Sequence, residues 1–377
     1  MAKPVGPACN MKCSYCYYLG TKDTHTQSSA AKMDYKTLEA FTKDYIQSNP
    51  GPLIQFSWHG GEPLLAGLAF FEKAVELQAK YLPPGFECWN NIQTNGLLID
   101  NEWCKFFKKA GFDVGVSIDG VEALHDENRK DNSGNPTRKR AASAIKRLMS
   151  HGIQPDLLCT VNPANAEDPL GTYRALKAFR TGWVQFIPIV IKLDGSVSED
   201  SVDAVKYGNF LVEVFREWVA NDVGKLDVQL FAEISLALLN KGPSVCWMSE
   251  TCGRVVVVES DGSVFSCDHF VDSAHHIGNI NERTLASIVS STAQTGFAMA
   301  KKNSMPKQCQ GCQWLRVCNA GCPKDWIAGA DGEISNALCA GYKIFFSACM
   351  PVLEMAAMQR AKGIAPLTIM QQAKAML

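Results

Sequence analysis

Three cysteines in one eight-residue stretch, Cys9-Asn10-Met11-Lys12-Cys13-Ser14-Tyr15-Cys16, limit what this chain can fold into more than any other feature. Their spacing suits three irons of a four-iron cluster and leaves the fourth iron without a protein ligand. Thiolates are the ligands that iron–sulfur clusters select, and a cluster that only carries electrons takes four of them. An open iron invites a small molecule, so the fold must leave room for one. Zinc is the competing reading of such a trio, but zinc sites close with four ligands, and the next Cys or His after Cys16 is His25.

The other cysteines are as unevenly placed. Of fifteen in 377 residues, eight lie between Cys246 and Cys339, while Cys88, Cys104, Cys159 and Cys349 stand singly. Met1-Ala2-Lys3-Pro4 leads into the motif with no apolar export segment, and no run approaches the roughly 20 apolar residues that cross a bilayer. The expectation is a cytosolic protein with no membrane partner, whose reducing surroundings keep thiols available as ligands instead of disulfides. Eight is twice four, so the second group fits two fully ligated clusters, and the single cysteines read as core thiols. A net charge of −1 with interspersed signs offers no basic block for a phosphate backbone, which argues against nucleic acid.

At 377 residues the chain exceeds the roughly 250 to 300 that one core supports, so a large domain and a smaller one are expected. Short β-branched and apolar runs at 53–58, 91–94, 113–118, 156–161 and 183–190 alternate with amphipathic stretches at 70–81, 101–109, 139–151 and 170–180. That alternation is the signature of βα units around a parallel sheet. Counting one unit at the N-terminal cysteine loop gives about six repeats, hence an α/β fold built as a partial (β/α)6 barrel. Two helices are expected at 202–221 and 229–240, then a boundary near 240. Beyond it Asp261-Gly262 separates two apolar runs, a hairpin signal suited to a type I′ turn. The domains are read as 1–240, 241–350, and a helix or tail over 351–377.

The cysteine string, with an aromatic residue before its last member, resembles the motif of radical S-adenosylmethionine enzymes. The resemblance implies that the open iron binds the amino and carboxylate end of S-adenosylmethionine and that the reduced cluster cleaves it to a 5′-deoxyadenosyl radical. Gly60-Gly61-Glu62-Pro63 is similar to the family's GGEP element, where glycine backbone and a carboxylate meet the cofactor's amino group. By itself the tetrapeptide also reads as a surface turn. The resemblance further implies Ser117 as a cofactor contact, with Asp119 on the same rim, and Tyr15 packed near the adenine; plain strand-end packing is the alternative for each.

Cys246-x5-Cys252, Cys267, Cys309-x2-Cys312-x5-Cys318-x3-Cys322 and Cys339 resemble the SPASM domain, which holds two auxiliary [4Fe–4S] clusters. The resemblance gives Cys246, Cys252, Cys267 and Cys322 to the first and Cys309, Cys312, Cys318 and Cys339 to the second. Spacing alone does not say which cysteines pair, and two zinc sites are the alternative. A fully ligated cluster moves electrons or stabilises its domain.

Cys267-Asp268 narrows the resemblance to anaerobic sulfatase-maturating enzymes, which the chain is similar to from about residue 3 to 350. Lys3-Pro4, Tyr17-Tyr18-Leu19, residues 58–63, 92–96 and 114–120, and Gly278-Asn279-Ile280 carry it. The implied reaction is oxidation of a Cys or Ser in a sulfatase polypeptide to Cα-formylglycine, with three [4Fe–4S] clusters and S-adenosylmethionine. Asp268 would be the base, its pKa raised by burial beside the cluster; the residue could instead cap the hairpin end. The resemblance also places Tyr18 and Gln93 at the peptide pocket and implies an electron donor such as flavodoxin or ferredoxin, with the chain acting as a monomer. A rival is a maturase that crosslinks or epimerises a ribosomal peptide; the shortage of room before Cys9 for a leader-binding module favours the sulfatase reading. The start of the chain and the segment 192–201 look short for the subfamily. None of the seven histidines shows metal-ligand spacing.

Overall fold

The computed structural model describes residues 1–18, 32–193, 196–329 and 332–376; Leu19 and His25 lie outside them. The chain divides into two compact units, one of Met1–Ser117, Asp126–Pro155 and Gly253–Met299, the other of Ile118–His125, Asp156–Cys252 and Ala300–Leu377.

In the first unit, strands Leu53–Trp58, Glu87–Thr94 and Phe112–Ser117 pair in parallel. Helices Leu68–Tyr81 and Asn101–Ala110 connect them. The second of these starts where the Asp100 carboxylate accepts the Trp103 N–H and stops where Gly111 turns left-handed, a cap at each end. Aromatic rings fill the core: Trp58 lies edge-on to Phe71 and Phe70 at 5.5 and 6.1 Å. The strand predicted to begin at residue 91 begins at Glu87 because its polar start hides a buried residue. Asn90 is 3% exposed, and its amide is satisfied by the Trp58 indole and Gln78.

No full strand precedes the cysteine loop, where one βα unit was expected. Only Ala2 bridges in parallel, to Trp58 on one side and Val258 on the other. Strand Met11–Cys13 pairs antiparallel with Arg129–Asp131 instead.

The second unit also has three parallel strands, Asp156–Val161, Trp183–Pro188 and Asp227–Val228. The last, too short for a recognisable pattern, was not foreseen. Helix Ala204–Asn221 crosses helix Cys339–Ala361 where Gly208 meets Gly341: a Cβ on Gly208 would lie 2.6 Å from the Gly341 carbonyl oxygen, and one on Gly341 2.0 Å from that of Ala204. The C-terminal region is helical to Ala361 and again over Pro366–Lys374.

The hairpin expected at Asp261-Gly262 forms in the first unit, between Val257–Val258 and Ser263–Phe265, with His276–Asn279 as a third antiparallel strand. Its turn differs from the expected type. Asp261 keeps a negative φ, only Gly262 is left-handed at φ +86°, and the Gly262 N–H donates to Glu259 O, which makes a three-residue loop instead of a type I′ turn. No helix among the described residues is long and apolar enough to cross a membrane.

Candidate active site

The cysteine loop lies on the glycines that follow the first parallel strand. The Gly61 N–H donates to Gly6 O at 2.9 Å and the Glu62 N–H to Ala8 O at 2.8 Å. A Cβ on Gly61 would sit 2.1 Å from Ala8 O, and Gly60 has φ +131°. The chain's own backbone therefore demands glycine here, before any ligand does. The Cys9 sulfur accepts the Met11 N–H at 3.4 Å and the Asn95 amide at 3.8 Å. Burial pushes the Cys9 thiol up to about 12, and Glu62, Cys13 and Cys16 add to the rise. Such a thiol becomes a thiolate only when a metal displaces its proton. Three soft donors in one loop fit an iron–sulfur cluster.

Glu62 is fully buried, and its carboxylate accepts Asn95 N at 2.8 Å, Thr94 Oγ1 at 2.7 Å and Leu64 N at 3.1 Å. Burial outweighs those bonds and drives its pKa up to about 7. A cationic amino group beside it would restore the charge. Gln93 and Ser117, expected at different ligands, are joined: Gln93 Nε2 donates to Ser117 Oγ at 2.9 Å. The Tyr15 ring, 8% exposed, carries the Arg129 guanidinium at 5.5 Å. Asp119, in the second unit, has no exposed surface and accepts both the Thr160 N–H and hydroxyl, at 2.9 and 2.8 Å. It is bound up as a structural group, not as a rim residue.

Asp268 corrects an expectation. Burial does push its carboxyl up, but the Lys3 ammonium at 2.7 Å, with His59 and His269 nearby, outweighs burial and holds it well below the usual carboxylate range. Lys3 itself is 0% exposed and sits over the Tyr18 ring at 3.5 Å. The Tyr17 hydroxyl donates to the other Asp268 oxygen at 2.7 Å. Tyr18, expected at a peptide pocket, is only 2% exposed and donates to Glu259 at 2.5 Å. Tyr17, 45% exposed, is the neighbour that reaches Asp268 from the surface. Lys3, Tyr17 and Glu259 carried no role in the sequence; the Lys3-Pro4 and Tyr17-Tyr18-Leu19 matches were the signals for the first two, and they named no partner.

In the second unit Cys309, Cys312, Cys318 and Cys339 line one cavity, with Trp314, Tyr342 and Phe346 as apolar wall. Burial pushes Cys318 up to about 12, and the neighbouring Cys339 and Cys309 add to it. Four thiols around one cavity match the four thiolates that a fully ligated iron–sulfur cluster takes. Among the described residues no three His, Cys, Asp or Glu converge on a single ion. Cys246, Cys252 and Cys322 also belong to this unit, and the loop between the first two is held by buried Lys301, which donates to Trp247 O and Ser249 O at 2.7 and 2.5 Å. Cys267 belongs to the first unit, bridged to Phe270 beyond the hairpin.

The profile of the radical SAM superfamily matches residues 4–176, and that of SPASM, an iron–sulfur cluster-binding domain, matches 246–313. A serine-type anaerobic sulfatase-maturating enzyme of Bacteroides thetaiotaomicron is 38% identical over 392 residues, covering 99% of this chain and 94% of that one. A cysteine-type counterpart from Clostridium perfringens is 31% identical over 358 residues, covering 94% and 96%. The solved structure of native anSMEcpe with bound AdoMet and Cp18Cys peptide has a TM-score of 0.87 at 30% identity, covering 95% of this chain and 98% of that one. The fold is the TIM-like partial barrel of radical SAM enzymes with a C-terminal SPASM domain. With thiols for iron–sulfur clusters in both units and a like relative along nearly its whole length, the chain belongs to the anaerobic sulfatase-maturating enzymes, radical SAM oxidoreductases with three [4Fe–4S] clusters that turn a Cys or Ser side chain into formylglycine.

Proposed function

We propose that this chain oxidises a Cys or Ser side chain of a sulfatase polypeptide to Cα-formylglycine, with Asp268 taking the side-chain proton. The observation that carries the role of Asp268 is its geometry: one oxygen fixed by buried Lys3 at 2.7 Å, the other reached by half-exposed Tyr17 at 2.7 Å. The substrate loses a hydrogen atom from Cβ, a proton from its thiol or hydroxyl, and one electron, which leaves an aldehyde from Ser or a thioaldehyde from Cys; water then replaces the sulfur of the thioaldehyde and hydrogen sulfide leaves. S-adenosylmethionine and the clusters, when bound, supply the acceptor of that hydrogen atom and the route for that electron.

The rest falls to side chains. Lys3 keeps Asp268 charged. An ionised carboxylate has about four lone-pair positions, and Lys3 and Tyr17 occupy two, so a substrate thiol or hydroxyl still finds an acceptor. Tyr17 replaces Tyr18 as the tyrosine on the peptide side, and Gln93 orients Ser117. Cys9, Cys13 and Cys16 hold the open cluster, Gly60, Gly61 and Glu62 receive the amino end of S-adenosylmethionine, and Tyr15 backs its adenine. Cys246, Cys252, Cys267 and Cys322 hold one auxiliary cluster; Cys309, Cys312, Cys318 and Cys339 hold the other. Residues 1–240 form the radical domain and 241–350 the auxiliary one. A small carrier, flavodoxin or ferredoxin, delivers electrons to the monomer.

Asp268→Asn with its clusters in place is expected to form 5′-deoxyadenosine from S-adenosylmethionine in the presence of a Cys-x-Pro-x-Arg peptide, but little aldehyde by mass measurement. Aldehyde at the unsubstituted rate removes Asp268 from the reaction.

A further inference from the structure

Asn95 directly follows the strand Glu87–Thr94 and faces two parts of the site at once. Its backbone N–H donates to Glu62 Oε2 at 2.8 Å, and its Oδ1 accepts the Leu97 N–H at 2.9 Å. A main-chain N–H can only donate, so Oδ1 must be the atom facing Leu97, and the amide nitrogen is forced to the other side. There Nδ2 donates to Asn10 Oδ1 at 2.7 Å and to the Cys9 sulfur at 3.8 Å. One residue thus touches the carboxylate proposed for the amino group of S-adenosylmethionine and a sulfur proposed for the cluster that binds it.

We infer that Asn95 is a positioning residue that locks the Cys9 sulfur to the Glu62 carboxylate, so that the potential of the N-terminal cluster and the affinity for S-adenosylmethionine are set together. An N–H aimed at a ligand sulfur stabilises the electron-rich reduced cluster and raises its potential. The short bond to Asn10 fixes the loop on which Cys9 is carried, and the bond to Glu62 fixes the carboxylate proposed for the cofactor's amino group. The inference rests on the proposed roles of Cys9 and Glu62.

The test uses the full chain with clusters reconstituted and compares it with Asn95→Ala and with Asn10→Ala, which keeps Asn95 and removes only the oxygen that orients its amide. An EPR-monitored redox titration reads the potential of the N-terminal cluster, and equilibrium dialysis reads S-adenosylmethionine affinity. Asn95→Ala, which keeps the main-chain bond to Glu62 but frees the Cys9 loop, is expected to shift the potential negative and to weaken S-adenosylmethionine binding; Asn10→Ala moves both the same way by less. Loss of iron from this site alone in Asn95→Ala, with auxiliary iron retained, also supports the role, and Asn10→Ala then carries the potential measurement. Unchanged potential and affinity overturn the inference, and so does a shift in only one of them. Cys9→Ala separates the two levels: a nucleotide-responsive cluster signal that survives it sinks the site reading itself, whereas its loss beside an Asn95→Ala identical to the unsubstituted enzyme sinks only the role of Asn95.

Discussion

A lysine ammonium with no exposed surface persists only where an opposite charge meets it. Lys3 meets Asp268 at 2.7 Å and rests on the Tyr18 ring at 3.5 Å. Lys3→Met leaves that carboxylate without its cation, an arrangement that costs about 3 kcal/mol, because one partner of a largely buried pair is gone. The expected outcome is a lower denaturation midpoint together with reduced aldehyde yield while 5′-deoxyadenosine continues to form. Glu62 gives a pH dependence. Burial drives its pKa up to about 7, and it must be ionised to meet an ammonium. Below pH 7 the carboxyl is protonated, so S-adenosylmethionine affinity is expected to fall by up to about tenfold per pH unit, and above pH 7 to level off. Dialysis at pH 6 and pH 8 checks the sign, and Glu62→Gln should flatten the profile as well as weaken binding.

Two short elements set where these side chains go. The cysteine loop lies on Gly61 so closely that a methyl group there meets Ala8 O at 2.1 Å, and backbone cannot step aside as a flexible side chain can. Gly61→Ala is therefore expected to lose iron from the N-terminal site, read as a loss of about four irons from a total of about twelve. The hairpin is more forgiving. Gly262→Ala places a Cβ at φ +86°, 2.5 Å from Asn281 Nδ2 and 2.8 Å from Asn279 Oδ1, so it carries a left-handed penalty of about 1 to 2 kcal/mol plus movement of two side-chain amides. It should lower the melting temperature and retain the clusters. Asp-Gly marked the turn correctly in sequence but not its type, because the bond from Gly262 back to Glu259 draws Ser260 into the loop.

Across the whole molecule, the cavity of the second unit offers a clean separation. Cys318→Ala removes one of its four thiols and is expected to lower iron to about eight while reductive cleavage of S-adenosylmethionine, which belongs to the N-terminal motif, continues. Iron analysis and 5′-deoxyadenosine formation read the two independently. The strands at 53–58 and 156–161 were legible to the residue because apolar periodicity and bounding turns are local. The strand Asp227–Val228 was not, since two residues carry no period, and the missing first strand was not, since Ala2 is held by neighbours and not by its own pattern. By itself the sequence determined the chemistry: thiol spacing selects iron and sulfur, and alternating apolar runs select parallel βα units, both properties of adjacent residues. Only the tertiary structure decided that Cys309, Cys312, Cys318 and Cys339 share one cavity, that Lys3 charges Asp268, and that Tyr17 reaches that carboxylate from 251 residues away. Those contacts arise where separate stretches of backbone converge, and the energy that holds them, burial against opposite charge and hydrogen bond, leaves no trace in the order of residues on either side.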